Sequence, residues 1–263
     1  MRALVTGAAR AIGAATAHVL TEHGCEVVAT ARDVGALADV PAVARLELDV
    51  TDPASVDACL AAAGEIDVLI NNAAIAEAGP LETYPLDRFR AAFETNVVGA
   101  LRMTQAVVPG MRERGRGTIV NISSVQGRVA TPLEGAYAAT KFALEAMSET
   151  LHYELGHFGI RVVIIEPGYI APGMKASPRW GVDGPPYDEL AAQWYGVDAK
   201  LVGDGGRPSP EIVGEAIWQA ITSEPATLRW PVGADAEMIL ATRHQLDDGA
   251  FEATMRSTLD LTW

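Results

Sequence analysis

Seven short apolar runs punctuate the chain: ALV (3–5), EVVAT (26–30), ARLELDV (44–50), DVLIN (67–71), TIVNI (118–122), RVVIIEP (161–167) and LRWPV (228–232). Longer stretches of helical pattern separate them, and this alternation restricts the fold more than any other feature. Strand, crossover helix and next strand repeat only in a parallel sheet covered by helices. Runs that are apolar at nearly every position, not every second one, are what burial on both faces demands. The predicted fold class is therefore α/β, a doubly wound sheet of about seven parallel strands with helices on both faces.

Local signals place the helices. One runs through AIGAATAHVLTEH to Gly24, and Asp52 with Pro53 starts another. Leu86, Phe89, Phe93, Val97, Leu101 and Val108 recur near helical spacing, and Ser209-Pro210-Glu211 opens a late helix. Residues 169–208 break the rhythm with proline, glycine and aromatics and read as a segment covering the substrate. No linker divides the chain, so 1–263 is expected to be one domain, of a length that fills a sizeable core.

Charge and composition exclude several functions. A net charge of −14 argues against nucleic-acid partners and anionic membrane surfaces. No run approaches the ~20 apolar residues needed to cross a bilayer. Cys25 and Cys59 form neither a disulfide framework nor a metal spacing, Cys25 reading as a small buried hydrophobe. The five histidines show no zinc pairing, so no metal is expected. MRALVTG enters structure at once, leaving no room for a signal peptide, and a cytoplasmic setting is expected.

TGAARAIGAA follows the first run, with Gly7 and Gly13 bracketing the turn into a helix. Glycine lets the backbone turn tightly beside a pyrophosphate, which the helix N-terminus attracts. An ordinary glycine-containing strand-to-helix turn is the competing reading. The second run ends in Ala31 and Arg32, without the carboxylate that would hold free ribose hydroxyls. A guanidinium there suits a 2′-phosphate, and Arg10 adds a second positive charge, which favours NADP(H) over NAD(H). Each arginine taken alone also reads as a solvated side chain.

In EGAYAATKFALEAM, Tyr137 and Lys141 lie four residues apart in a chain with only three lysines. On a helix such residues share a face. An ammonium about 5 Å from a phenol, at an effective dielectric near 20, favours phenolate by roughly 3 kcal/mol, about two pKa units. Tyrosine otherwise titrates near 10, too high for ready proton exchange at neutral pH.

These residues together resemble the short-chain dehydrogenase/reductase family over essentially the whole chain, which implies a Rossmann-type domain. TGAARAIG (Gly7, Ala9, Arg10, Ile12, Gly13) is similar to its glycine motif, and Asp49-Val50 to its adenine-contacting pair. NNAA (71–74) resembles its fourth-strand motif, with Asn72, Ala73 and Ala74 facing the cofactor. Asn71 and Asn72 also read as turn formers, though at a sheet's carboxyl edge Asn72 favours the cofactor-facing role, and Ser123 reads as a backbone cap. EPGYI (Pro167, Gly168, Ile170) resembles the segment closing over the nicotinamide. The resemblance implies catalytic Asn96, Ser124, Tyr137 and Lys141: Tyr137 as acid/base, Lys141 tuning it and holding the ribose, Ser124 donating to the substrate oxygen, Asn96 holding a relay water. LRWPVGADAEMIL resembles the 17β-hydroxysteroid dehydrogenase branch. The family habit implies a homodimer or homotetramer pairing through the long fourth and fifth helices.

Three positions depart from the pattern. Ala11 replaces the middle glycine, Ala74 the last glycine of the usual NNAG, and Pro172 the threonine that commonly binds the carboxamide. Proline brings neither a hydroxyl nor a backbone donor. Tyr169, Met174, Trp180, Tyr187, Trp194 and Tyr195 crowd the covering segment. They point to a medium or bulky hydrophobic carbonyl or alcohol, or else pack the cover onto the domain or a neighbouring subunit. Arg128, Thr131 and Glu134, between Ser124 and Tyr137, stand open between substrate contact and surface. Beside the oxidoreductase stand a non-catalytic dinucleotide sensor and a cofactor-independent lyase or dehalogenase relative. The retained Ser–Tyr–Lys set speaks against the sensor, and Gly7, Gly13 and Lys141 against the lyase.

Overall fold

The computed structural model describes residues 1–172, 179–202 and 205–263. Seven strands form one parallel sheet: β1 (Arg2–Val5), β2 (Glu26–Ala31), β3 (Ala44–Glu47), β4 (Val68–Asn71), β5 (Gly117–Ile122), β6 (Ile160–Pro167) and β7 (Arg229–Val232). Their order is β3-β2-β1-β4-β5-β6-β7, so the chain reverses direction across the sheet between β1 and β4. Ligands of open α/β sheets bind outside the strand carboxyl ends at such a point.

Helices cover both faces. α1 (Ala11–Glu22) and α8 (Glu211–Thr222) pack Ala17, Leu20, Val213 and Ile217 against Val5, Val27 and Val163. On the other face α2 (Pro53–Ala63), α4 (Ala100–Arg114) and α5 (Gly135–Gly156) bury Val56, Met103, Met111 and Leu155 over Leu4, Leu69 and Ile119. β1 and β4 are buried at nearly every position, as their unbroken apolar runs required. The Asp52 carboxylate accepts from Ala54 N at 3.0 Å, capping α2 as its sequence predicted.

The third strand is shorter than its run, ending at Glu47 because Asp49 turns back to bind its own Thr51. The periodic stretch from Leu86 is α3 (Leu86–Phe93) joined to α4 through a π-helical turn, Glu94–Gly99. Among the described residues the cover holds two short helices, α6 (Asp188–Trp194) and α7 (Val197–Val202). They share a small core of Val182, Leu190, Trp194 and Val197 with Leu259 of α10 (Asp248–Leu259). Between α8 and α10 lie β7 and α9 (Ala234–Gln245). Cys25 and Cys59 are both buried thiols. No helix among the described residues is long and apolar enough to cross a membrane.

Candidate active site

At the switch point, Gly7 takes φ +64°, the left-handed conformation that lets the chain leave β1 and enter α1. A Cβ on Gly13 would collide with the Gly7 carbonyl and the Asn72 amide, so α1 packs where only glycine fits. Asn72 shapes this turn: its Nδ2 donates to Thr6 O at 2.8 Å and Gly7 O at 3.1 Å. Ala73 packs beside Gly7, its backbone donating to Thr6 Oγ1 at 2.9 Å, while Ala74 is exposed. Ile12 packs on the α1 face of the core and Ala9 lies half-buried beside it.

Arg10, the residue before α1, and Arg32, following β2, are exposed, with no ion pair among the described residues. Their guanidiniums flank the α1 N-terminus and the β2 end, where an anionic ligand would gather charge-assisted hydrogen bonds. Asp49 accepts from Thr51 N and Oγ1 at 2.9 and 2.7 Å, and the Thr51 hydroxyl holds its carboxyl below the usual range. Arg102 reaches the Val50 carbonyl and Glu94, fixing the loop after β3 against α4.

α5 carries Tyr137 and Lys141 on one face, as their spacing predicted. The Lys141 Nζ stands 5.4 Å from the centroid of the Tyr137 ring and donates to Ile122 O at 2.7 Å. Ser124 follows β5 in extended backbone, its Oγ accepting from Gln126 N at 3.1 Å. The same hydroxyl donates to Pro167 O at 3.4 Å, tying the end of β6 to the site. Asn96, 2% exposed, sits in the π-helical turn. Its Oδ1 accepts from Ile75 N, and its Nδ2 donates to Ile75 O and Thr140 Oγ1, all within 3.0 Å. It is thus joined to the neighbour of Lys141 and not to Lys141 itself.

Burial works against the tuning expected of the lysine. Burial raises Tyr137 above its ordinary value, the Ser124 hydroxyl opposing it by hydrogen bonding and the Glu134 charge adding to the rise. Burial also lowers Lys141, to about 8, against the Glu145 charge. The cost of taking both groups out of water opposes the attraction between them.

Glu134 belongs to this site more closely than its loop position suggested. It accepts from Gln126 Nε2 and from Thr131 Oγ1 at 3.0 Å, and burial raises its carboxyl. Arg128 reaches instead toward Glu166 of β6. Of the cover aromatics, Trp180 donates its indole N–H to Glu77 at 3.1 Å, Tyr187 bonds Glu82, and Trp194 lies in the cover's core. Tyr195 lies under the Arg179 guanidinium at 3.8 Å and Tyr169 near that of Arg207. Trp180 and Tyr187 thus tie the cover to the loop after β4, while Trp194, Tyr195 and Tyr169 make contacts within the cover. Met174 lies outside the described residues. Ile170 is buried, Gly168 packs against Asp235, and Pro172 is exposed.

Residues 1–180 match the model of the short chain dehydrogenase family. A 3-alpha-(or 20-beta)-hydroxysteroid dehydrogenase of Mycobacterium tuberculosis is 38% identical over 181 residues, 65% of this chain and 70% of the relative. A short-chain dehydrogenase from Streptomyces avermitilis superposes with TM-score 0.82 at 34% identity, covering 98% of this chain and 97% of its own. One from Burkholderia cenocepacia, solved in complex with NADP, gives 0.77 at 29% identity over 100% and 98% of the two chains.

Proposed function

Because the chain belongs to the short-chain dehydrogenase family, we propose that it is an NADP(H)-dependent oxidoreductase interconverting a secondary alcohol and its ketone. The carrying observation is the convergence of Tyr137, Lys141 and Ser124 at the strand carboxyl ends beside the switch point. The residues fit the phosphorylated dinucleotide: Gly7 opens the turn beneath α1, and Arg10 and Arg32 offer two exposed guanidiniums. Asp49 and Val50 flank the adenine end, and Ala73, Ala74, Pro167, Gly168 and Ile170 the path to the nicotinamide. The bound dinucleotide supplies or accepts the hydride and, when oxidised, one positive charge.

The remaining steps belong to the chain. Ser124 donates to the substrate oxygen and fixes it where negative charge develops. Tyr137 gives that oxygen its proton in reduction and takes it back in oxidation. Lys141 stabilises the phenolate and holds the ribose hydroxyls, while Asn96 orders the proton relay behind it. The substrate is a carbonyl compound of medium to bulky apolar body, a reading supported by the hydroxysteroid dehydrogenase relative. The same reading makes the protein a cytoplasmic homo-oligomer pairing through α4 and α5, where Phe142 and Tyr153 stand exposed.

Tyr137→Phe tests the assignment. It should lower kcat about 10²–10⁴-fold, the usual worth of a positioned proton donor, while NADPH still quenches or enhances the protein's fluorescence on binding. Arg32→Ala should weaken NADPH about 10-fold or more, as loss of a charged hydrogen bond does, and leave NADH unchanged. Near-normal turnover by Tyr137→Phe on a carbonyl panel would refute the catalytic role. NADPH binding without turnover by the native protein would favour the sensor.

A further inference from the structure

A second set of charges lies behind the candidate catalytic residues. Glu145 stands one helical turn beyond Lys141 on α5, so the two side chains share a face. Glu145 is 4% exposed, and Glu166, directly before Pro167 on β6, is 1% exposed. One guanidinium clamps both: Arg229 Nε lies 3.1 Å from Glu145 Oε2 and 3.6 Å from Glu166 Oε1. Arg128 reaches Glu166 Oε1 at 3.5 Å, and Arg229 also pairs with Glu149. Gly127 locks the turn after Ser124 onto this pair, since a Cβ there would stand 2.8 Å from Glu145 Cγ and 2.6 Å from Ser123 Oγ.

Lys141 is 3% exposed, and its ammonium binds a carbonyl, not a carboxylate. A buried ammonium without counter-charge gives up its proton sooner than stay charged. We propose that Glu145 is the counter-charge keeping Lys141 protonated, and that Arg229, with Glu166 as competitor for it, sets how fully Glu145 is ionised. Both carboxylates are thereby positioning residues for the ammonium that faces Tyr137. The consequence for turnover rests on the oxidoreductase reading; the electrostatic linkage does not.

The charge distribution agrees. Glu145 is the carboxylate whose charge holds Lys141 up against burial. Burial raises Glu166 to about 7, the Glu145 charge adding to the rise and the two arginines opposing it. Among the described residues, the other groups facing the pair and the lysine are Tyr137 and Glu149 on α5, Ser123 and Ser124 after β5, Arg128 beyond them, and Arg229 on β7. Asn96 approaches through Thr140, and the Glu134 charge acts on Tyr137.

Three lysines make a direct test available, because lysine labelled with ¹³C at Cε gives three signals. The Lys141 signal is the one lost in Lys141→Arg, and it is titrated in the cofactor-free protein. The native midpoint should lie near 8. Glu145→Gln should lower it by about one unit or more, the usual effect of removing a close opposite charge. Glu166→Gln, which relieves Glu145 of a like charge, should leave the midpoint unmoved or raise it. If Glu145→Gln does not fold, Glu145→Asp, which draws the carboxylate back by one methylene, should lower the midpoint too. An unmoved midpoint in Glu145→Gln, or an equal fall in both glutamate variants, would overturn the proposal. The alkaline limb of kcat/KM should track the midpoint, and only that readout fails if the protein is not an oxidoreductase.

Discussion

Ala11 holds φ +48°, a left-handed backbone that glycine adopts freely and a Cβ resists. Left-handed geometry costs a non-glycine residue roughly 1–2 kcal/mol. Replacing it by glycine also loosens the unfolded chain, by about 0.4–1 kcal/mol. Ala11→Gly should therefore stabilise the protein by about 0.5–1 kcal/mol, read as a higher urea midpoint at unchanged slope. The substitution also clears a methyl from the mouth of the glycine turn, so NADPH should bind more tightly. Destabilisation by Ala11→Gly would mean that the turn is not strained. The departure from the family pattern was legible as a letter; its conformational cost was not, because φ belongs to the folded turn. Tyr137 and Lys141 were legible because helix spacing alone brings them together. Glu145 lay at the same spacing from Lys141, yet its pairing with Glu166 and Arg229 depends on how α5 packs over β6 and β7, which no local pattern encodes.

At the level of elements, a buried carboxylate is one of the ties that latch the cover to the body. Glu77, 8% exposed, receives both arms of Arg88, the Trp180 indole at 3.1 Å and the Tyr84 hydroxyl at 3.5 Å. Trp180 N also donates to Ala78 O at 2.9 Å, so residues 179–180 run beside the loop after β4. The Arg88 hydrogen bond holds Glu77 below the ordinary carboxylate range. A depressed carboxyl stabilises above its unfolded pKa, and that contribution is lost as pH falls through the folded value. Glu77→Gln should thus cost roughly 2–3 kcal/mol, less than a fully buried pair because Arg88 is partly solvated. It should also expose the 179–202 segment to limited proteolysis at neutral pH, as acid should do in the native chain. Equal cleavage of variant and native protein would show that the cover is held elsewhere. The cover's breaks in hydropathy marked its position, but its helices went unread because their apolar faces pack on each other and on Leu259, far along the chain. The inner strands were read because burial on both faces leaves continuous apolar runs, while the edge strands β3 and β7 are only partly buried. The π-helical turn was invisible, since Asn96 and its partners on Ile75 and Thr140 create it through tertiary bonds.

For the molecule as a whole, the buried charges predict an unusual dependence of stability on pH. Glu166 titrates near 7 when folded and near 4.5 unfolded, so between those values the native state holds a proton the unfolded chain has released. Stability must fall as pH rises across that window, by at most about 3 kcal/mol for a shift of this size. Raised Glu134 and Glu145 act in the same sense. Lys141 reverses the slope: folded it loses its proton near 8, unfolded near 10.5, so stability climbs between those values. Above 10 the raised Tyr137 keeps its proton in the native state and turns the curve down again. In acid, Asp49 and Glu77, both depressed, withdraw their contributions as they protonate. The expected profile has a maximum near pH 5, a trough near 7–8 and a second rise toward 10, where most proteins show a plateau between 5 and 8. Thermal melting at constant ionic strength would trace it. Growing self-repulsion in a chain of net charge −14 also lowers stability as pH rises, but Glu166→Gln separates the two causes. That variant should flatten the descent between 5 and 7, and Lys141→Met should abolish the recovery above 8. A single broad plateau in the native protein, unchanged in both variants, would mean that these groups are solvated in a way their burial does not allow.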